Sequence, residues 1–285
     1  MRSFLKLMKS APLSARIGMA ALFINLFCAI FAPWIAPYEE TEVVGNVWEP
    51  VMWAAGAVEH EKPVILGTDN IGRDMFSRLM YGARNTIALA LVTTALSFSV
   101  GALCGFLAAT LKGWVDMFLS RGVDILMAFP TLIFALVVLS VMGPTTTVLI
   151  LVIALVDSTR VFRISRAVAM DIEVMEYVEA ARLRGEGLWW VMREEILPNA
   201  LPPLVAEFGL RFCFVFLFIA ALSFLGLGLQ PPLADWGSMV RENAGGISFG
   251  ILTALIPAFS IAFLTVGVNL VVDWFLHKAS GIKDV

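Results

Sequence analysis

From residue 87 to residue 111 the sequence carries no charged side chain, and two further apolar runs, at about 204–229 and 251–276, match it in length. A helix needs about 20 mainly apolar residues to cross a bilayer, and a water-soluble core has no room for several such runs in one chain. Only 15% of the 285 residues are charged and the mean hydropathy is +0.86, where soluble domains carry about 25% charged residues. The chain reads as an all-α integral membrane protein.

Six spans follow from the pattern. The first lies at about 16–35, after a start containing Arg2, Lys6, Lys9 and Arg16. It is long for a cleaved signal sequence, and Pro33, Trp34 and Pro37 suit an interfacial end, so it reads as a retained anchor. The second is 87–111. An amphipathic piece at 115–129, with Asp116, Arg121 and Asp124 as an inner-surface network, leads into a third span ending near Met142. The fourth begins at Thr146 and reaches Arg160 or a little beyond; the fifth and sixth are 204–229 and 251–276. With both ends in the cytoplasm, the inner segments hold fourteen lysines and arginines against five outside, the bias that cytoplasmic loops carry. The chain then divides into a cytoplasmic start and first span (1–37), an extracytoplasmic segment (38–86), a five-helix core (87–276) with a charged inner loop at about 171–200, and a cytoplasmic tail (277–285).

The net charge of −3 lacks the basic excess that a nucleic-acid partner demands. Cys28, Cys104 and Cys213 sit singly in apolar runs and read as packing residues; His60 and His277 have no ligand-spaced neighbours, so no metal site is expected. No G-x-x-x-x-G-K-[ST] phosphate loop occurs. The expectation is a chain with no cofactor and no catalytic residues of its own, so ATP and magnesium, if they drive it, belong to another subunit.

The charged loop is the most informative stretch. Ile172, Met175 and Val178 are spaced for one helical face over 171–184. Gly185 and Gly187 break that helix, since glycine reaches left-handed angles without steric cost. Leu188, Val191 and Met192 restart a helical phase, which Pro198 and the Pro202–Pro203 pair are expected to end. A helix–turn–helix knob at a membrane surface is either a solvated connector or a docking surface.

Glu179-Ala180-Ala181, with Gly185 four residues on and then Leu197-Pro198, resembles the E-A-A…G…L-P signature of permease subunits of ATP-binding-cassette (ABC) importers. Leu66-Gly67-Thr68-Asp69-Asn70-Ile71-Gly72-Arg73-Asp74, Asp124 with Ala128-Phe129-Pro130, 222–228 and Trp236-Gly237 with Met239 are similar to the dipeptide, oligopeptide and nickel subgroup, over about 66–269. The resemblance implies a type I importer permease fold with a coupling helix, and the six-span member of a permease pair. It implies a homologous second permease, two ABC ATPase subunits, an extracytoplasmic solute-binding protein and a bacterial inner membrane. Peptides or related small solutes are the implied cargo. Glu179, Ala180, Ala181, Gly185, Leu197 and Pro198 are then the ATPase-coupling residues. The tail departs from the family's usual ending, and so does Arg211 inside a span; both bear on the solute rather than the fold. An ion-driven secondary carrier is the alternative, and would show inverted repeats and interrupted spans.

Two further groups stand out. Glu207 and Arg211 are at i, i+4, the order that favours a helix ion pair; they either line the pathway or sit near the inner interface. Gly67, Thr68, Asp69, Gly72, Arg73 and Asp74 form an extracytoplasmic motif that either caps the second span or touches the binding protein. Small residues at Gly101, Ala102, Gly105, Ala108 and Ala109 predict one close helix contact.

Overall fold

The computed structural model describes residues 11–54, 58 and 60–279. Arg2, Lys6, Lys9 and Lys283, part of the charge bias above, lie outside the described residues. Nine helices follow in order among the described residues: α1 (Leu13–Ile35), α2 (Met75–Leu111), α3 (Gly113–Ala128), α4 (Thr131–Met142), α5 (Thr146–Glu173), α6 (Glu176–Leu183), α7 (Leu188–Phe224), α8 (Trp236–Asn243) and α9 (Leu255–Ala279). Among the described residues, extended pairing is limited to isolated bridges, Val43 with Arg73 and Thr68 with Asp74.

The axis of the bundle is α2. At 37 residues it is about 55 Å long, and it starts twelve positions before the apolar run that announced it. Hydropathy marks where lipid-compatible sequence begins; the helix itself begins where Asp74 accepts a hydrogen bond from the Ser77 backbone N–H, an N-cap. The predicted small-residue contact is the seam between α2 and α5. A Cβ on Gly101 would come within 2.6 Å of the Ser158 carbonyl oxygen, and one on Gly105 within 2.9 Å of the Phe162 oxygen. At the other edge, α1 and α9 meet in the same way, with Gly18 against Gly267. The core gathers Met75, Leu79, Leu139, Leu149, Ile153, Phe216, Ile219 and Trp236 between α2, α4, α5, α7 and α8.

Four expectations change. The third span is broken: α3 and α4 meet at 85°, because Pro130 lacks an N–H and its ring disfavours helix at Phe129. The 12 residues of α4 make about 18 Å, short of a hydrocarbon core of about 30 Å. Of the six spans expected, four helices (α1, α2, α7, α9) are long and apolar enough by themselves, and the α3–α4 pair supplies a fifth. The expected fourth span, α5, is 28 residues long but carries Asp157, Arg160, Arg163 and Arg166 and is not among the helices apolar enough to cross, so four or five of the six expected spans are found among the described residues. The helix expected over 171–184 breaks at Val174 and Met175, where the chain reverses into α6. Finally, Pro198, Pro202 and Pro203 do not end a helix; α7 runs through them to Phe224. Residues Val191–Ile196 are a π-helical turn, and Leu197 N–H bonds back to the Met192 carbonyl. This wider turn precedes the prolines, so Pro198 falls in the first turn of the α-helical part, where a missing N–H costs least.

Candidate functional site

Three constellations carry the chain's polar chemistry. The first is the 176–198 turn. Val178 and Ala181 of α6 pack with Val191, Met192 and Ile196 of α7, and with Phe106, Ala109, Ala169 and Ile172 from the ends of α2 and α5. Both arms of the turn are thereby fixed to the bundle. Its tip is bare: Leu183 is 83% and Trp189 64% exposed. Gly185 stands at φ +86 with no atom within 4 Å of where a Cβ would lie. Among the residues singled out from the sequence, Glu179, Ala180, Gly185, Leu197 and Pro198 are exposed, while Ala181 is buried. Glu173, which sequence reasoning missed, ties the unit together. Its buried carboxylate meets Lys112 Nζ at 2.7 Å and Arg182 Nη1 at 2.8 Å, joining the end of α2, the end of α5 and α6.

The second constellation lies inside the bundle, between α2, α5 and α7. Glu207 and Arg211 do pair on α7, at 2.7 Å. Arg211 also faces Asp157 of α5 at 3.6 Å, and Asp157 accepts a 2.9 Å hydrogen bond from Ser97 of α2. The Arg211 contacts are charge pairs by proximity, without the alignment of hydrogen bonds. Arg211 falls close to the middle of α7 and Asp157 close to the middle of α5, so the cluster is not at a helix end. Asp157 escaped notice in the sequence, although a lone carboxylate inside a span is itself a signal.

The third is the outer clasp around 67–74. Asp69 Oδ2 receives Arg73 Nε at 2.7 Å and Arg78 Nη1 at 2.6 Å, while Glu242 Oε2 receives Arg73 Nη2 and Arg78 Nη1, each at 2.8 Å. Burial works to raise the Asp69 carboxyl, but the N–H groups of Arg73 and Ile71 and the charges of Arg78 and Arg73 outweigh it and hold it below the usual range. Thr68 bridges the Glu49 N–H and the Asn46 carbonyl, and Asn243 accepts from Trp48 Nε1 and the Asn70 N–H. Gly67 and Gly72 have φ of +74 and +87, and a Cβ on either would lie 2.2 Å from a carbonyl oxygen, of Glu49 and Gly45 respectively. Thr68, Asp69, Arg73 and Asp74 are all buried. Their side chains are spent inside the molecule, binding loop 43–54 and α8 to the head of α2. The inner network anticipated among Asp116, Arg121 and Asp124 runs instead to α5, with Asp116 paired to Arg166 and Asp124 to Arg163.

A model of the family of binding-protein-dependent transport system inner membrane components matches residues 101–279. The di/tripeptide transport system permease protein DppC of Pseudomonas aeruginosa (strain UCBPP-PA14) is 34% identical over 90% of this chain and 84% of its own length. The dipeptide transport system permease protein DppC of Escherichia coli (strain K12) is 36% identical over 91% and 86%. Among solved structures, the inward-facing MetNI methionine ABC transporter superposes with a TM-score of 0.55 at 18% identity, covering 74% of this chain and 98% of that one. An amino acid ABC transporter crystallised with histidines gives 0.54 at 19%, covering 71% and 94%. These neighbours share the type I importer permease fold and are not secondary carriers. The chain belongs to the binding-protein-dependent transport system inner membrane components, and it is a multi-pass membrane permease subunit of an ABC importer.

Proposed function

We propose that this permease forms half of a pathway for di- and oligopeptides, paired with a homologous second permease. An extracytoplasmic solute-binding protein delivers the peptide, and two separate ATPase subunits, which hold ATP and magnesium, drive the cycle. The chain itself is a transport subunit with no catalytic residues, and its ends lie in the cytoplasm. Glu179, Ala180, Ala181, Gly185, Leu197 and Pro198 make up the surface on which an ATPase docks. One observation carries the coupling reading: the Gly185 turn projects with nothing of its own chain against it, while both its arms are packed into the ends of α2, α5 and α7. A push on the tip therefore moves three long helices as rigid elements, the shear or rocking by which packed helices switch state. The peptide reading rests on the relatives, which are named for dipeptides and tripeptides. The 67–74 motif is a structural clasp in this proposal, since its side chains are turned inward. The test is purification of the tagged chain with its associated subunits, followed by peptide uptake in proteoliposomes. Two ATPase chains and a second permease should co-purify, and uptake should require both ATP and the binding protein. A chain that purifies alone and transports without ATP contradicts the proposal.

A further inference from the structure

The cluster between α5 and α7 has one further charged neighbour. Glu207 holds Arg211, and Asp157 holds Ser97 while facing Arg211. Arg160, near the midpoint of α5 beside Asp157, forms no ion pair and no hydrogen bond among the described residues. Its close contact is aromatic: the guanidinium carbon stands 4.1 Å from the centre of the Phe214 ring, which Arg211 also approaches, at 5.4 Å, while the Asp157 charge acts on it only from beyond ion-pair distance. A guanidinium has five N–H donors in a planar fork. Stacking on a ring satisfies its face and leaves the donor edge open, and that edge matches a carboxylate in two-point geometry. A charged residue in a span is costly and by default functional. Arg160, Glu207, Arg211 and Phe214 are all half-buried, so each keeps part of its surface accessible.

The geometry points to Arg160, seated on Phe214, as a binding group within the helix bundle for the carboxylate of the transported solute. Glu207, paired with Arg211 on α7, is in this proposal the group that meets a solute ammonium. The cluster of Asp157, Arg160, Glu207 and Arg211 is neutral as a whole, so a zwitterion enters without leaving a net charge behind. This deepens the peptide-permease reading and rests on it.

The test uses the complete importer in proteoliposomes with its own binding protein. Uptake of alanyl-alanine is compared with uptake of its C-terminal amide, for wild type, Arg160→Gln and Arg160→Lys. The binding protein is the same throughout, so its own preference cancels from the comparison between variants. Losing a charge-assisted hydrogen-bond pair should lower the acid-to-amide uptake ratio roughly ten- to hundredfold in Arg160→Gln, with Arg160→Lys recovering part of it. An unchanged ratio in Arg160→Gln overturns the inference while leaving the peptide reading intact. A complex that assembles only with a cation at 160 also overturns it, assigning Arg160 to a carboxylate of another subunit. Absence of uptake of either compound by the wild type overturns both readings.

Discussion

Replacing Asp69 by alanine is the most telling perturbation of the outer clasp. The wild-type cluster balances two carboxylates, Asp69 and Glu242, against Arg73 and Arg78, with the Asp69 and Arg78 side chains no more than 1% exposed. Removing Asp69 leaves two guanidiniums on Glu242 alone, with Arg78 buried. Breaking a buried ion pair from one side costs about 3–5 kcal/mol; because Glu242 still meets both arginines, about 3 kcal/mol is expected. The converse change, Arg78→Met, leaves Asp69 and Glu242 to share Arg73 alone and should cost a similar amount. The double variant removes one charge of each sign and should be more stable than the sum of the singles by about 2 kcal/mol. Chemical unfolding of the purified complex in detergent measures all three. Singles within about 1 kcal/mol of wild type, combining additively, would refute the reasoning, because they would mean that the clasp behaves as a solvated surface network.

The same carboxylate sets an acid limit. Its native value is held below the ordinary aspartate range, so its contribution is complete above about pH 4 and is lost as pH falls toward the depressed value; the stability gap between wild type and Asp69→Asn should close in that acid window. Gly67→Ala forces a Cβ to 2.2 Å from the Glu49 oxygen at a φ of +74 and should cost about 1–3 kcal/mol, seen as a lower unfolding midpoint. Glu173→Gln should change stability by less than about 1 kcal/mol, since Lys112 and Arg182 are 59% and 41% exposed. Solute transported per ATP hydrolysed should nevertheless fall, because the charge that joins α5 to α6 is gone.

The sequence and the fold part company at identifiable places. Apolar length located α1, α2, α7 and α9 because lipid demands it, but it placed the start of α2 at Ile87 when the helix begins at Met75. The extra turns hold Arg78, which the helix can afford only because Asp69 and Glu242 neutralise it. Glu242 is more than 160 positions away in the chain, and no local pattern announces such a partner. In the same way the motif at 67–74 was legible as a loop, with the left-handed angles of Gly67 and Gly72 implicit in its glycines, while the inward fate of its charges was not. Pro198 does not stop α7 because it falls in the first turn after the π-helical stretch, and Pro202 and Pro203 are carried inside the helix without ending it. The Glu207–Arg211 pair was readable from its spacing alone. Its tie to Asp157, and the seat of Arg160 on Phe214, required α5 and α7 to be set side by side.

The central claim is that the Gly185 turn is the point where a separate ATPase drives this permease. Its most direct test is ATP-driven uptake by the assembled importer carrying Gly185→Val and, separately, Gly185→Asn. A side chain at 185 meets nothing within 4 Å in its own chain, and asparagine tolerates the left-handed backbone that valine resists. Loss of uptake in both variants, with the permease itself still folded, is the predicted result. Normal ATP-driven uptake with either residue at 185 would contradict the claim.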